Sequence, residues 1–147
     1  MIIVLTGSTR FKNEFFKVAK EYEQQGHAVL MPNTFSKSDV EDAYIENDPQ
    51  ILDNLFKAHL QKIDVADKMI VINPGGYIGQ GSKKEIMYAL TRGVSVEYIC
   101  NTEVTKNIES ISKWCKILTT SNQISPKKND WIDAYIYIIN RYGERKE

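Results

Sequence analysis

Ile2-Ile3-Val4-Leu5-Thr6-Gly7-Ser8-Thr9-Arg10 begins the chain with an apolar run that breaks into small polar residues. A four-residue apolar run with no alternation reads as a strand buried on both faces, the habit of parallel sheets. Phe11, Phe15, Val18, Ala19 and Tyr22 follow at helical spacing, and Gly26 supplies a stop. His27 to Met31 then reads as a second strand, closed by Pro32-Asn33. This β-α-β opening calls for parallel strands joined by a right-handed crossover.

The alternation continues. Leu52, Leu55, Phe56, His59 and Ile63 form one helical stripe, Met69 to Ile72 a third strand, Ser82 to about Arg92 a further helix, and Val94 to Ile99 a fourth strand. Between Phe35 and Pro49 the chain is polar and acidic without a clear period, and reads as either a functional lid or a surface loop. Beyond Thr102 two helical stripes remain: Ile108, Ile111, Trp114, Cys115 and Leu118, then Ile132, Tyr135, Ile136, Ile139 and Tyr142. Asp130, after Lys127-Lys128-Asn129, offers a cap for the last helix. Trp131, Tyr135, Ile138 and Tyr142 make a second apolar stripe on that helix, of the kind that marks an interface. The expected fold is one doubly wound, Rossmann- or flavodoxin-like α/β domain over residues 1–147. Residues 1–100 form a core of four to five parallel strands with helices on both faces, and residues 101–147 a helical extension.

Composition bounds the partners. Nineteen Lys plus Arg balance nineteen Asp plus Glu, so the formal net charge is zero and a nucleic-acid polymer is not an expected partner. No apolar run approaches the roughly 20 residues of a membrane span, and the first residues lack a positively charged leader. Cys100 and Cys115 are too few for a disulfide framework. A cytoplasmic protein without a membrane partner is expected. His27 and His59 are far apart and neither cysteine stands at ligand spacing to them, so no metal and no cofactor is expected.

Ligands of open parallel sheets bind beyond the carboxyl ends of the strands, which brings two loops forward. In Gly7-Ser8-Thr9-Arg10, glycine permits close approach, free amides and a hydroxyl can hold an anion, and Arg10 can grip phosphate. The same residues also suit a helix cap beside a solvated arginine. The second loop, Asn73 to Ser82, has four glycines among residues 75–81, yet it is neither a Walker motif nor a dinucleotide fingerprint. Tyr77 within it can stack on a base or pack on the following helix. Ser82-Lys83-Lys84-Glu85 fits a capping box. Alternatively Glu85, kept ionised in the first helical turn by the dipole, can act as a nucleophile. Arg10, Lys83 and Lys84 would make the mouth positive.

Gly7-Ser8-Thr9-Arg10, Ala66-Asp67-Lys68-Met69-Ile70-Val71-Ile72 and Gly81-Ser82-Lys83-Lys84-Glu85-Ile86-Met87-Tyr88-Ala89 together resemble the nucleoside 2-deoxyribosyltransferase superfamily, which includes 2′-deoxynucleoside 5′-phosphate N-hydrolases. The resemblance covers about residues 2–99. It implies cleavage or transfer at the N-glycosidic bond of a nucleoside or nucleoside 5′-monophosphate, with Glu85 as nucleophile and with Ser8 and Arg10 matching the phosphate-reading branch; the two loops then offer Gly7, Ser8, Arg10, Tyr77, Gly81 and Ser82 as the substrate- and phosphate-binding set. Where the family has an Asp eight residues before Asp67, this chain has His59, and where many members have Tyr it has Val4. His59 either packs at the core edge or replaces the missing acid. The alternative is a nucleotide-binding or sensing module without catalysis. The expected partners are a small nucleoside or nucleotide and further copies of the chain, in a homodimer or higher homo-oligomer.

Overall fold

The computed structural model describes residues 1–120 and 130–144, with the side chains of residues 119 and 120 left aside. Four strands form one all-parallel sheet: β1 (Ile2–Gly7), β2 (Ala28–Leu30), β3 (Lys68–Ile72) and β4 (Ser95–Tyr98), in the order β2-β1-β3-β4. The chain winds outward in both directions from β1 and β3, so the switch point lies between them. Register pairs Val4 with Met69, Thr6 with Val71 and Gly7 with Ile72, setting the ends of both central strands side by side.

Alternation along β1 decides what each face touches. Ile3 and Leu5, with Ile70 and Ile72, pack against Phe15 and Ala19 of α1 (Lys12–Glu23) and against Phe35. Val4, with Met69 and Val71, faces the opposite way. There it meets Leu60 and Ile63 of α2 (Pro49–Val65), and Ile86, Met87 and Ala89 of α3 (Gln80–Thr91). Each fully buried aliphatic side chain contributes about 1.5–3 kcal/mol, so these two layers hold the sheet. By the same period of two, Thr6 belongs to the face of Val4.

The first residues of α2 follow from Asp48, whose carboxylate accepts from the amides of Gln50 and Ile51, with Pro49 preset for the first turn. At its far end Asp67 accepts from the Ile2 amide at 2.7 Å and donates its own amide to the Ile2 carbonyl, tying the start of β1 to β3. Asp64 instead binds the Tyr88 hydroxyl. Neither carboxylate lies at the carboxyl end of the sheet.

After the short α4 (Glu103–Lys106), α5 (Ile108–Thr120) and α6 (Asp130–Tyr142) complete the α3 side. Both apolar stripes of α6 are used inside the chain. Trp131, Ile132, Tyr135 and Ile138 are all buried in the same core as Ile86 and Cys115. The second stripe is therefore no open interface, because α3 and α5 cover it. Residues 127–129 lie outside the described residues, and Asp130 is the first described residue of α6, paired with Lys83 at 2.9 Å.

The polar segment after β2 is tied down by a few specific contacts. Phe35 and Ile45 are buried, and residues Val40–Asn47 coil into successive 3-10 turns. Ser38 donates to the Thr9 carbonyl, the Lys37 amide to the Thr9 hydroxyl, and Lys12 pairs with Asp39 at 2.9 Å. Sequence periodicity misses this segment because two anchors separated by ten residues make no helical or strand pattern. No described helix is long and apolar enough to cross a membrane.

Candidate functional site

At the carboxyl end of β1, Thr6 is fully buried among otherwise apolar strand residues. Its hydroxyl lies 2.8 Å from Nε2 of His59 and donates to Oε2 of Glu85 at 3.2 Å. His59 Nε2 and Glu85 Oε2 are themselves 3.1 Å apart. A strand, α2 and α3 thus each deliver one polar side chain to a single point at the switch. His59 arrives there because it shares the inward stripe of α2 with Ile63, four residues on. Glu85 arrives because it shares the inward stripe of α3 with Ser82 and Ala89, both buried.

Electrostatics at this point are set by burial. Desolvation pushes the Glu85 carboxyl up to about 8, the Thr6 hydroxyl opposing only in part. Desolvation pushes His59 down to about 4, helped by the charge of Lys62 and opposed by the Leu5 backbone. With the imidazole held neutral, the 3.1 Å approach of His59 to Glu85 is a close polar contact rather than an ion pair. The Glu85 side chain keeps 16% exposure and so stays within reach of solvent.

This arrangement corrects the expected helix start. α3 begins at Gln80 with Gly79 as its cap, which places Ser82 third and Glu85 in the second turn. No capping box forms between them; among the described residues a box joins Thr102 and Thr105 instead. The helix dipole acts mainly on the first turn, so it does not keep Glu85 ionised, and desolvation prevails.

The first loop is built as the sequence suggests. Gly7 is required there because a Cβ would run into the backbone carbonyl oxygen of Ile72 on the neighbouring strand. Ser8 is buried and caps a 3-10 turn, its hydroxyl accepting from the Arg10 amide and from Arg10 Nε at 3.0 Å. The Arg10 guanidinium lies 4.4 Å from the centre of the Tyr77 ring, and Phe11 meets that ring edge-on at 6.1 Å. Tyr77 is 42% exposed and packs on Arg10 rather than on α3. At this exposure the stack is worth about 0.5–1 kcal/mol. Among the described residues Arg10 has no carboxylate partner, so its charge remains available.

The glycine loop after β3 is pinned from β4. Asn73, fully buried, donates to the Cys100 carbonyl at 2.9 Å and accepts from the Cys100 amide at 3.0 Å. Gly75 and Gly76 take φ values of +65° and +85°, and a Cβ on Gly76 would meet Thr102 at 2.9 Å. Gly81 stands in open space near the start of α3.

The expected positive mouth is only partly built. Lys83 pairs with Asp130 and lies over Trp131, while Lys84 lies 4.0 Å from the centre of the Tyr137 ring, so both lean toward α6. Of the three cations, Arg10 alone sits in the loops at the switch. Thr6 and Asn73 are the residues that motif reading misses. The available signal was a single hydroxyl in an otherwise apolar strand, on the face shared with Val4. Among the described residues no three His, Cys, Asp or Glu side chains gather to hold a metal ion.

Comparison with protein-family models, curated proteins and solved structures finds no match to this chain.

Proposed function

We infer that this chain is an N-glycosidic enzyme acting on a nucleoside or nucleoside 5′-monophosphate, with Glu85 as nucleophile. The observation that carries the reading is the Glu85 carboxyl itself. It is largely desolvated, bonded to Thr6, 3.1 Å from the His59 imidazole, and held at the switch point beside a loop that presents Ser8, Arg10 and Tyr77. As a carboxylate it attacks the anomeric carbon while the bond from that carbon to the base nitrogen breaks. Water, or a second base, then releases the sugar, in the two-step manner of retaining glycosidases. Arg10 and the amides of the first loop hold the 5′-phosphate, and Tyr77 offers a face to the base.

The deciding experiment is a chromatographic screen of nucleosides and 5′-monophosphates for released base. Release that disappears in Glu85→Ala supports the reading. Release from none of the compounds, with calorimetric binding of a nucleotide intact, replaces it with the binding module. The neutral imidazole at the position where the resembled family has an acid is the observation that favours this second reading.

Two expected results follow from the same site. Only the ionised carboxyl attacks, so the rate of base release rises about tenfold per pH unit and levels near pH 8, where Glu85 titrates. A pH–rate profile that levels already near 4.5, the ordinary value, would place Glu85 in water and contradict its burial. Arg10→Ala raises KM for the monophosphate by about 10- to 100-fold while that for the free nucleoside changes little. Equal changes for both compounds would remove Arg10 from the phosphate.

A further inference from the structure

The geometry points to Thr6 as the positioning residue of this centre. Its one hydroxyl, bonded at once to His59 and Glu85, fixes the carboxyl at the switch point and dictates how the imidazole is protonated. A threonine hydroxyl has a single proton, so with two partners it gives to one and receives from the other. Once Glu85 is ionised it can only accept, so Thr6 donates to its Oε2 at 3.2 Å and therefore accepts from Nε2 of His59 at 2.8 Å. That direction requires the proton of the neutral imidazole to sit on Nε2. The remaining ring nitrogen, Nδ1, is buried and makes no hydrogen bond of full geometry, a position where a bare lone pair costs less than an N–H.

The position suits this task. Thr6 is fully buried, so water does not substitute for its hydroxyl, and a β-branched side chain in a strand is stiff at its first torsion. Glu85 has longer, freer torsions and takes its place from what it is bonded to. A buried hydroxyl in an otherwise apolar strand is unfavourable unless its bonds are made, and here both partners are side chains rather than backbone.

The charged surroundings leave this arrangement local. On α2, Lys62 faces His59 and reaches the Met31 carbonyl. On α3, Lys83 and Lys84 lean toward Asp130, Trp131 and Tyr137 of α6. The charged residues of β3 and β4, Lys68 and Glu97, pair with each other at the opposite end of β3. β1 carries no charged side chain.

The inference rests on Glu85 being the reacting carboxyl, but its test needs no substrate. Carbon-13 NMR of labelled glutamate, with Glu85→Gln to assign the signal, follows the Glu85 titration directly. In Thr6→Val the midpoint rises by about one pH unit, because the ionised form loses a hydrogen bond; Thr6→Ser restores it. An unchanged midpoint in a folded Thr6→Val protein would overturn the inference. Nitrogen-15 NMR of the unaltered protein well above pH 8, where Glu85 is ionised, gives a second reading that does not depend on any variant folding. A proton on Nε2 of His59 agrees with Thr6 donating to Glu85, and a proton on Nδ1 alone reverses the direction and overturns it. Absence of base release from every nucleotide tried removes the glycosidic reading and leaves both spectra to stand or fall separately.

Discussion

Glu85→Ala is expected to lower base release by at least about 10⁴-fold while leaving the fold in place. Loss of a covalent nucleophile removes the reaction path itself, and such losses are among the largest that single substitutions produce. The fold survives because Glu85 is an electrostatic burden at this position, its carboxyl pushed up to about 8 by desolvation. Without it, Thr6 and His59 keep their mutual bond at 2.8 Å. Glu85→Gln separates chemistry from packing. It preserves volume and hydrogen bonding, and is expected to be as inactive as the alanine variant. Single-turnover assays on the screened substrate, alongside thermal melts of each variant, provide the measurement. Undiminished release in either variant removes Glu85 from the reaction.

Gly7→Ala is expected to destabilise the protein by about 3 kcal/mol, a fall in Tm of roughly 10 °C. The added methyl meets the carbonyl oxygen of Ile72, and that oxygen belongs to the neighbouring central strand rather than to a side chain able to turn away. Relief requires β1 to part from β3 where Gly7 pairs with Ile72, directly beside the Thr6 hydroxyl. Nucleotide binding and base release should fall with stability. Gly81→Ala provides the contrast, since open space surrounds it inside α3 and alanine favours a helix by up to about 1 kcal/mol. Urea unfolding of the two variants checks both signs, and a Gly7→Ala midpoint equal to that of the unaltered protein would refute the steric argument.

The doubly wound sheet was legible because buried parallel strands write themselves as short apolar runs, as in Ile2 to Leu5 and Met69 to Ile72. Glu85 and the first loop were legible as residue types after strands. What spacing did not carry was the start of α3, where Gly79 caps the helix with its backbone and leaves no side-chain signature. Thr6, His59 and Glu85 are separated by tens of residues and meet only because β1, α2 and α3 converge. The tilt of Lys83 and Lys84 toward α6 likewise depends on aromatic residues some fifty positions away. The second stripe of α6 showed its apolar character without showing that the same chain covers it.

Asn73 joins the glycine loop to Cys100 by two hydrogen bonds, and so makes the order of that loop depend on where β4 ends. β4 is an edge strand of four residues, half exposed. Edges of sheets open more readily than their centres. Fraying at that border would reach the carboxyl end of the sheet through Asn73 without passing through the core, and would leave Thr6 anchored in the central strand. A ligand held by both loops would therefore steady a strand that it never touches.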